Sequence, residues 1–293
     1  VRVWTRFKFA IAAALLANAT ALPALADPAI WRVNGQHATV FIVGSTPTAP
    51  ADGKWKTPAL QQAAASAQEI WFVTPFGLPG PITAVRMLTI LTTKGYLPDG
   101  QTLSAKLSPE GRARMARLAA RYGPSLDKLD RMTPWNADIQ IALKVRGKTG
   151  AAEGLPVERY IMATAPRGRK RAFDNLGDDL NLLISTPEAD QVYDLEEAMR
   201  LDEDPSLNQR YGEAWAADDQ GWIDRERELR LQQHAPTTYR ILQLEPRRHW
   251  ADQIAELSRG SKTAIVVLDA ANLVGQNGLP ALLRRKGLQV DGP

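Results

Sequence analysis

The sequence predicts an α/β fold: a mixed sheet made from strands near the two ends of the chain, with a large helical region between them. Three observations carry this. Residues 38–44 (ATVFIVG), 69–74 (EIWFVT) and 262–269 (KTAIVVLD) are short β-branched and aromatic runs closed by turn residues, as buried strands are. The first and last runs are each followed by a turn and then a helical pattern, the rhythm of an α/β unit. The middle of the chain carries apolar residues at helical spacing over segment after segment.

Taken in order, residues 58–68 form an Ala/Gln helix after the turn Ser45-Thr46-Pro47. Pro75, Gly77, Pro79 and Gly80 end the second strand, and residues 81–94 are amphipathic and helical. Ser108-Pro109-Glu110 sets a capping hydroxyl and a first-turn proline before a helix that Gly123 closes. Thr133-Pro134-Trp135 opens another helix, through Arg146. Helical patterns follow at 157–165, 187–200 and 207–231, the last with many charges at i,i+4 spacing, as on a solvated face. Residues 237–244, 250–258 and 279–286 are further helices, and 288–291 a closing strand. There is no repeat and no low-complexity linker, so residues 27–293 read as one domain with a helical insertion around 80–260.

Composition narrows the chemistry. With 44% hydrophobic and 23% charged residues the chain is an ordinary globular protein, neither disordered nor a polytopic membrane protein. It has no cysteine, which excludes disulfides, thiolate-ligated zinc, iron–sulfur clusters and thiol nucleophiles. It has three histidines, His37, His234 and His249; only His249 has a carboxylate at i+3 or i+4, Asp252, and one such pair falls short of the three or four ligands of a metal site.

Residues 1–26 have the pattern of a secretory signal peptide: Arg2, Arg6 and Lys8, then an apolar run, then Pro23 and Ala24-Leu25-Ala26 before Asp27. Cleavage near Ala26 would give a periplasmic or secreted bacterial protein with no stable membrane span. It would also remove three basic residues and no acidic one, so most of the formal charge of +4 belongs to the leader and a polyanionic partner is not expected. The basic cluster Arg167, Arg169, Lys170 and Arg171 reads as a solvated loop after a helix, without the interleaved aromatics of a nucleic-acid groove. Asp202, Asp204 and Glu213 fit positions of a calcium-loop template, but Leu207 stands where Gly is needed and Pro205 sits inside the loop. The tryptophans lie mostly on apolar faces and read as core.

Several segments, in order, resemble the TraB/GumN family. Residues 27–44 (DPAIWRVNGQHATVFIVG) are similar to its opening, which runs into a strand ending in G-x-x-H. QTLS at 101–104, MTPW at 132–135, the helix around 214–227 and LEPRRHWADQI at 244–254 resemble its middle segments. Residues 263–290 resemble its ending, with a second G-x-x-H followed by a G-L-x-x-L-L helix. The resemblance implies an α/β scaffold related to Tiki-type metal-dependent peptidases, in which two motif histidines and a strand glutamate serve metal-assisted hydrolysis.

This chain departs from that pattern at each such position. Pro47 stands for the first motif histidine, Asn272 for the second, Asp269 for the second motif's glycine and Val73 for the glutamate. A further acidic position aligns with Asn175, and the arginine of the R-N-x-x-W segment with Pro246, although Arg247 and Arg248 follow it. Pro and Val have no donor atom, and Asn is a weak neutral ligand. The expectation is an exported, catalytically degenerate member that binds a small polar ligand, a peptide or an envelope protein, with no cofactor. Its pocket would be lined by Ser45, Thr46, Pro47, Val73, Asp269, Asn272 and Arg247. The alternative is a hydrolase, either dependent on a divalent metal or rebuilt around Asp269, with Ser45 or Thr46 as nucleophile.

Overall fold

The computed structural model of the chain describes residues 27–75, 80–149, 155–165 and 168–293. The expected leader and Arg167 of the basic cluster lie outside these residues.

Strands β1 (Ile30–Asn34) and β2 (Thr39–Ser45) form a hairpin. Gly35 in its turn lies so close to another backbone that an added Cβ would stand 1.6 Å from the Ser258 carbonyl oxygen. Helix α1 (Pro58–Ser66), whose capping Thr57 hydroxyl accepts from the Leu60 amide, leads to β3 (Glu69–Phe72). Strands β4 (Arg169–Ala172), β5 (Ala264–Asp269) and β6 (Val290–Asp291) complete a six-stranded sheet in the order β4-β3-β5-β2-β1-β6. Strands β2 to β5 run parallel, and β1 is antiparallel to both its neighbours. The mixed sheet with a helical middle predicted from the sequence is the fold observed.

The intervening helices are α2 (Pro81–Lys94), α3 (Pro109–Tyr122), α4 (Leu126–Leu129), α5 (Pro134–Thr149), α6 (Pro156–Thr164), α7 (Leu176–Ile184), α8 (Glu188–Glu203) and α9 (Pro205–Ala216). Then come α10 (Gln220–Ile223), α11 (Arg230–His234), α12 (Pro236–Thr238) and α13 (Glu245–Arg259), with α14 (Leu279–Arg285) after β5. Two π-helical segments, Asp224–Leu229 and Tyr239–Leu244, interrupt this series.

Strand β5 is buried from Ala264 to Leu268, as a parallel strand covered on both faces must be. On one side Val43, Ile265 and Val267 pack with Leu60, Ile161 and Trp215. On the other, Ile42, Val266 and Leu268 pack with Trp250, Ile254 and Leu283. Helices α3, α5 and α8 enclose a separate core around Leu118, Ile141, Leu195 and Met199. Among the described residues, no helix is long and apolar enough to cross a membrane.

Two expectations are corrected. Arg169, Lys170 and Arg171 do not lie in a loop: they form β4, paired with β3 at the sheet edge. A row of cations there discourages another chain from adding to the sheet. The single helix expected at 207–231 is instead α9, a turn, α10, a π segment and α11; Asp218 takes a φ of 52° and the Asp219 carboxylate accepts from the Trp222 amide, so this Asp pair ends one helix and caps the next. Of the residues in the calcium-loop template set aside above, Asp204 caps α9 and Glu213 lies on that helix.

Ile42 is fully buried on the central strand pair. Ile42→Ala is expected to lower stability by about 2–5 kcal/mol, read as a shift of the urea midpoint with unchanged slope.

Candidate functional site

The carboxyl ends of β2 and β5 lie side by side, with Ser45 in register with Asp269. In open α/β sheets this is the end at which loops converge on ligands. A cavity of about 410 Å³ opens there, reaching outward from Asp269, Ala271 and Asn272 between α5, α8, α12 and the two π segments. Its size suits a small molecule.

The inner end of the cavity rests on a buried cation. Arg247, in the first turn of α13, is fully buried. Its Nη1 and Nη2 donate to the two Glu228 carboxylate oxygens at 2.5 and 2.7 Å, its Nε donates to Asn272 Oδ1 at 2.8 Å, and Nη2 also reaches Gln243 Oε1 at 3.1 Å. Glu228 lies in the first π segment and Gln243 in the second. Such segments are rare, and their extra residue per turn re-aims the side chains that follow. Burial pushes the Glu228 carboxyl up, and the Arg247 charge draws it back part of the way.

Asp269 is held beside this pair. The Tyr211 hydroxyl donates to Asp269 Oδ1 at 2.5 Å and accepts from the Ala271 amide at 2.8 Å, while that amide also donates to Asp269 Oδ1 at 3.0 Å. Burial first, and the Asp269 charge second, raise the Tyr211 phenol well above its ordinary value, so it stays a donor. The Arg227 guanidinium lies over the Tyr211 ring at 5.0 Å.

Of the residues expected from the sequence, Asp269 and Asn272 line the cavity, and Arg247 supports Asn272 from beneath. Ser45, Thr46, Pro47 and Val73 are not among its lining residues. Ser45 and Thr46 are fully buried; the Thr46 hydroxyl donates to the Thr48 carbonyl at 2.6 Å, and Ser45 Oγ has no hydrogen-bond partner. Pro47 is exposed beyond β2, and Val73 packs on the sheet core with Trp71. Asn175 caps α7, accepting from the Asp178 amide at 3.1 Å. His37 sits exposed at the β1–β2 turn, at the other end of the sheet. His249 lines a different hollow with Asp174, Asp178 and Asp179, and His234 is exposed, stacked on Tyr193.

The donor set at the motif positions does not fit a divalent metal. Both Glu228 oxygens and the Asn272 oxygen accept from one guanidinium, and a metal there would face that buried positive charge. Among the described residues, no group of three or more His, Asp or Glu is placed to hold a metal ion.

The outer wall of the cavity differs from the inner end. Asp138 on α5 and Asp194 on α8 both line it, and neither makes a hydrogen bond or ion pair among the described residues. Asp138 keeps some surface inside the cavity but is crowded by protein atoms on nearly every side. That desolvation, with the Asp202 charge, pushes its carboxyl up to about 7. Desolvation, with the charges of Asp138, Asp190 and Glu197, pushes Asp194 up to about 7. Sequence reasoning missed this wall, along with Tyr211 and Glu228. No local signal marks the pair, because α8 carries Glu188, Asp190, Glu196 and Glu197 beside Asp194, and the juxtaposition exists only once α5 and α8 pack together.

The family model for the TraB/PrgY/gumN family matches residues 29–292, nearly the whole chain, and the chain belongs to that family. No curated protein and no solved structure matches it significantly.

Two predictions follow from these charges. Arg247→Met leaves Glu228 buried without its partner and is expected to cost about 3–5 kcal/mol. Adding Glu228→Gln should recover part of that loss, measured by a double-mutant cycle in urea. Asp138 and Asp194 have folded values above the unfolded value of 3.8, so the native state holds protons that the unfolded chain releases. Their protonated forms therefore cost nothing near pH 3.5, and the penalty grows as pH rises from about 4 to about 7. Asp194→Asn should raise stability by about 1–2 kcal/mol at pH 8, discounted for residual solvent contact, and leave it unchanged near pH 3.5. Thermal melts at the two pH values check this.

Proposed function

We propose that this protein is an exported, non-catalytic member of the TraB/PrgY/gumN family that binds a small polar ligand in the cavity at the ends of β2 and β5. The observation that carries this reading is the bond from Arg247 Nε to Asn272 Oδ1 at 2.8 Å. Where the family resemblance implies a metal-binding histidine, the chain has a neutral amide whose oxygen is taken by a buried cation. Pro47 and Val73 remove the other implied donors. A metal-dependent hydrolase would need that cation displaced and three ligands supplied from elsewhere.

An acid–base site rebuilt around Asp269 has less support. Its carboxylate is engaged by Tyr211 and the Ala271 amide, and none of the three histidines lines the cavity. Ser45 Oγ lies next to it in register but has no base to activate it. Binding fits the cavity better, because a wall of unpaired polar groups is complementary to a polar ligand rather than to an apolar one. Export is supported by the basic, apolar and small-residue pattern of residues 1–26.

Calorimetric titration of the purified chain with manganese, cobalt and zinc tests the reading. Heats of dilution alone are expected for all three ions. A stoichiometric site of micromolar affinity or better would overturn it.

A further inference from the structure

Helix α2 (Pro81–Lys94) is apolar on two sides. Its inner side, Met87, Ile90 and Leu91, packs with Trp135 and Ile139 of α5 and with Leu180 of α7. Ile90 is the one residue of its fourteen that is buried. The outer side repeats apolar residues at helical spacing and turns them to solvent: Ile82 is 86% exposed, Val85 66% and Leu88 60%. On α5, Leu143 lies one turn beyond Ile139 and is 59% exposed. Among the described residues these are the four most exposed large apolar side chains. A surface helix ordinarily turns charged and polar groups outward, and α2 does not.

The threonines of α2 make few demands on water. Thr89 Oγ1 donates to the Val85 carbonyl at 2.9 Å, Thr92 Oγ1 to the Leu88 carbonyl at 2.9 Å and Thr93 Oγ1 to the Thr89 carbonyl at 2.7 Å. Their hydroxyl donors are thus engaged within the helix. The charge on α2 has one sign. It has no Asp or Glu, and its ionic residues are Arg86 and Lys94. Arg86 has an acidic neighbour in Asp178 at 3.4 Å, with both side chains more than half exposed. Lys94, and Lys144 next to Leu143, are exposed and make no ion pair among the described residues.

We propose that α2 is a membrane-surface helix, with its outer stripe set at the boundary of headgroups and acyl chains and its cations on the phosphates of anionic lipids. At 14 residues it is shorter than the roughly 17–25 that cross a bilayer, so it lies along the surface. The site is separate from the cavity and does not depend on what the cavity binds.

Area and charge both favour a lipid surface over a second copy of the chain. A stable dimer takes roughly 20–30 residues a side, and this face supplies one helix stripe and Leu143. A twofold contact would also set Arg86 and Lys94 against their own copies, with no carboxylate on α2 to answer them. An anionic bilayer offers phosphates to those cations and needs no matching shape.

The test is cosedimentation with vesicles of the purified chain from Asp27 onward, which holds every strand and core described above. The apolar leader is left out because it would bind lipid by itself. Vesicles of phosphatidylglycerol with phosphatidylethanolamine should bind the chain about tenfold or more tightly than phosphatidylcholine vesicles, and high salt should narrow that gap. Val85→Asp combined with Leu88→Asp should lower binding about tenfold or more. Lys94→Glu should weaken binding to the anionic vesicles alone. Leu126→Asp, at an exposed position on α4, should leave binding unchanged. Thermal melts of each variant confirm folding. No binding to the anionic vesicles, equal binding to both kinds, or binding unchanged in the Asp double variant would overturn the proposal. So would a concentration-dependent dimer in analytical ultracentrifugation that the double variant abolishes, since a second copy would then cover the face.

Discussion

A guanidinium removed from water must find acceptors for its five N–H donors inside the protein. Arg247 makes four such bonds, to three stretches of chain that sequence keeps apart: Glu228, 19 residues before it, Asn272, 25 residues after it, and Gln243 one turn upstream. Each of these acceptors sits in irregular backbone. Glu228 and Gln243 lie in π segments, and Asn272 in the 3₁₀ turn after β5. The broken helices and the end of the central strand are thus fixed against one another by a single charge. The position of the cavity floor follows from that, and so does the placement of Asp269 and Asn272 at its inner end.

The cavity is electrostatically lopsided. At the inner end nearly every charged group has a close partner, so its polar atoms are satisfied within the protein. Along the outer wall the Asp138 and Asp194 carboxylates and the Thr238 and Tyr193 hydroxyls have no hydrogen-bond partner among the described residues, and the fold bears the cost of desolvating them. Natural proteins concentrate such local costs at sites of function, because stability alone would replace these groups with apolar ones.

Much of the scaffold was legible in the sequence. The β-branched run of β5 and the Ser108-Pro109 helix start were visible because their local chemistry and tertiary environment agree. Strand β4 was not, since Arg169-Lys170-Arg171-Ala172 has no apolar periodicity and becomes a strand only because β3 offers it an open edge. The charged stretch around Glu228 looked like a solvated face, and its i,i+4 pattern hid a π segment that turns Glu228 inward. Asp138 and Asp194 are 56 positions apart on different helices, and no local pattern links them.

The sequence by itself determined the α/β class and the family, and it sets Pro47, Val73 and Asn272 where the family resemblance implies metal donors, because those depend on residue identity and short-range periodicity. The tertiary structure decided what replaced them. Asn272 became the acceptor for a buried arginine, Pro47 and Val73 fell away from the cavity, and two aspartates from separate helices came to share one wall. These outcomes depend on which side chains meet across long separations in a water-poor interior. There a single unmatched charge weighs more than any local preference.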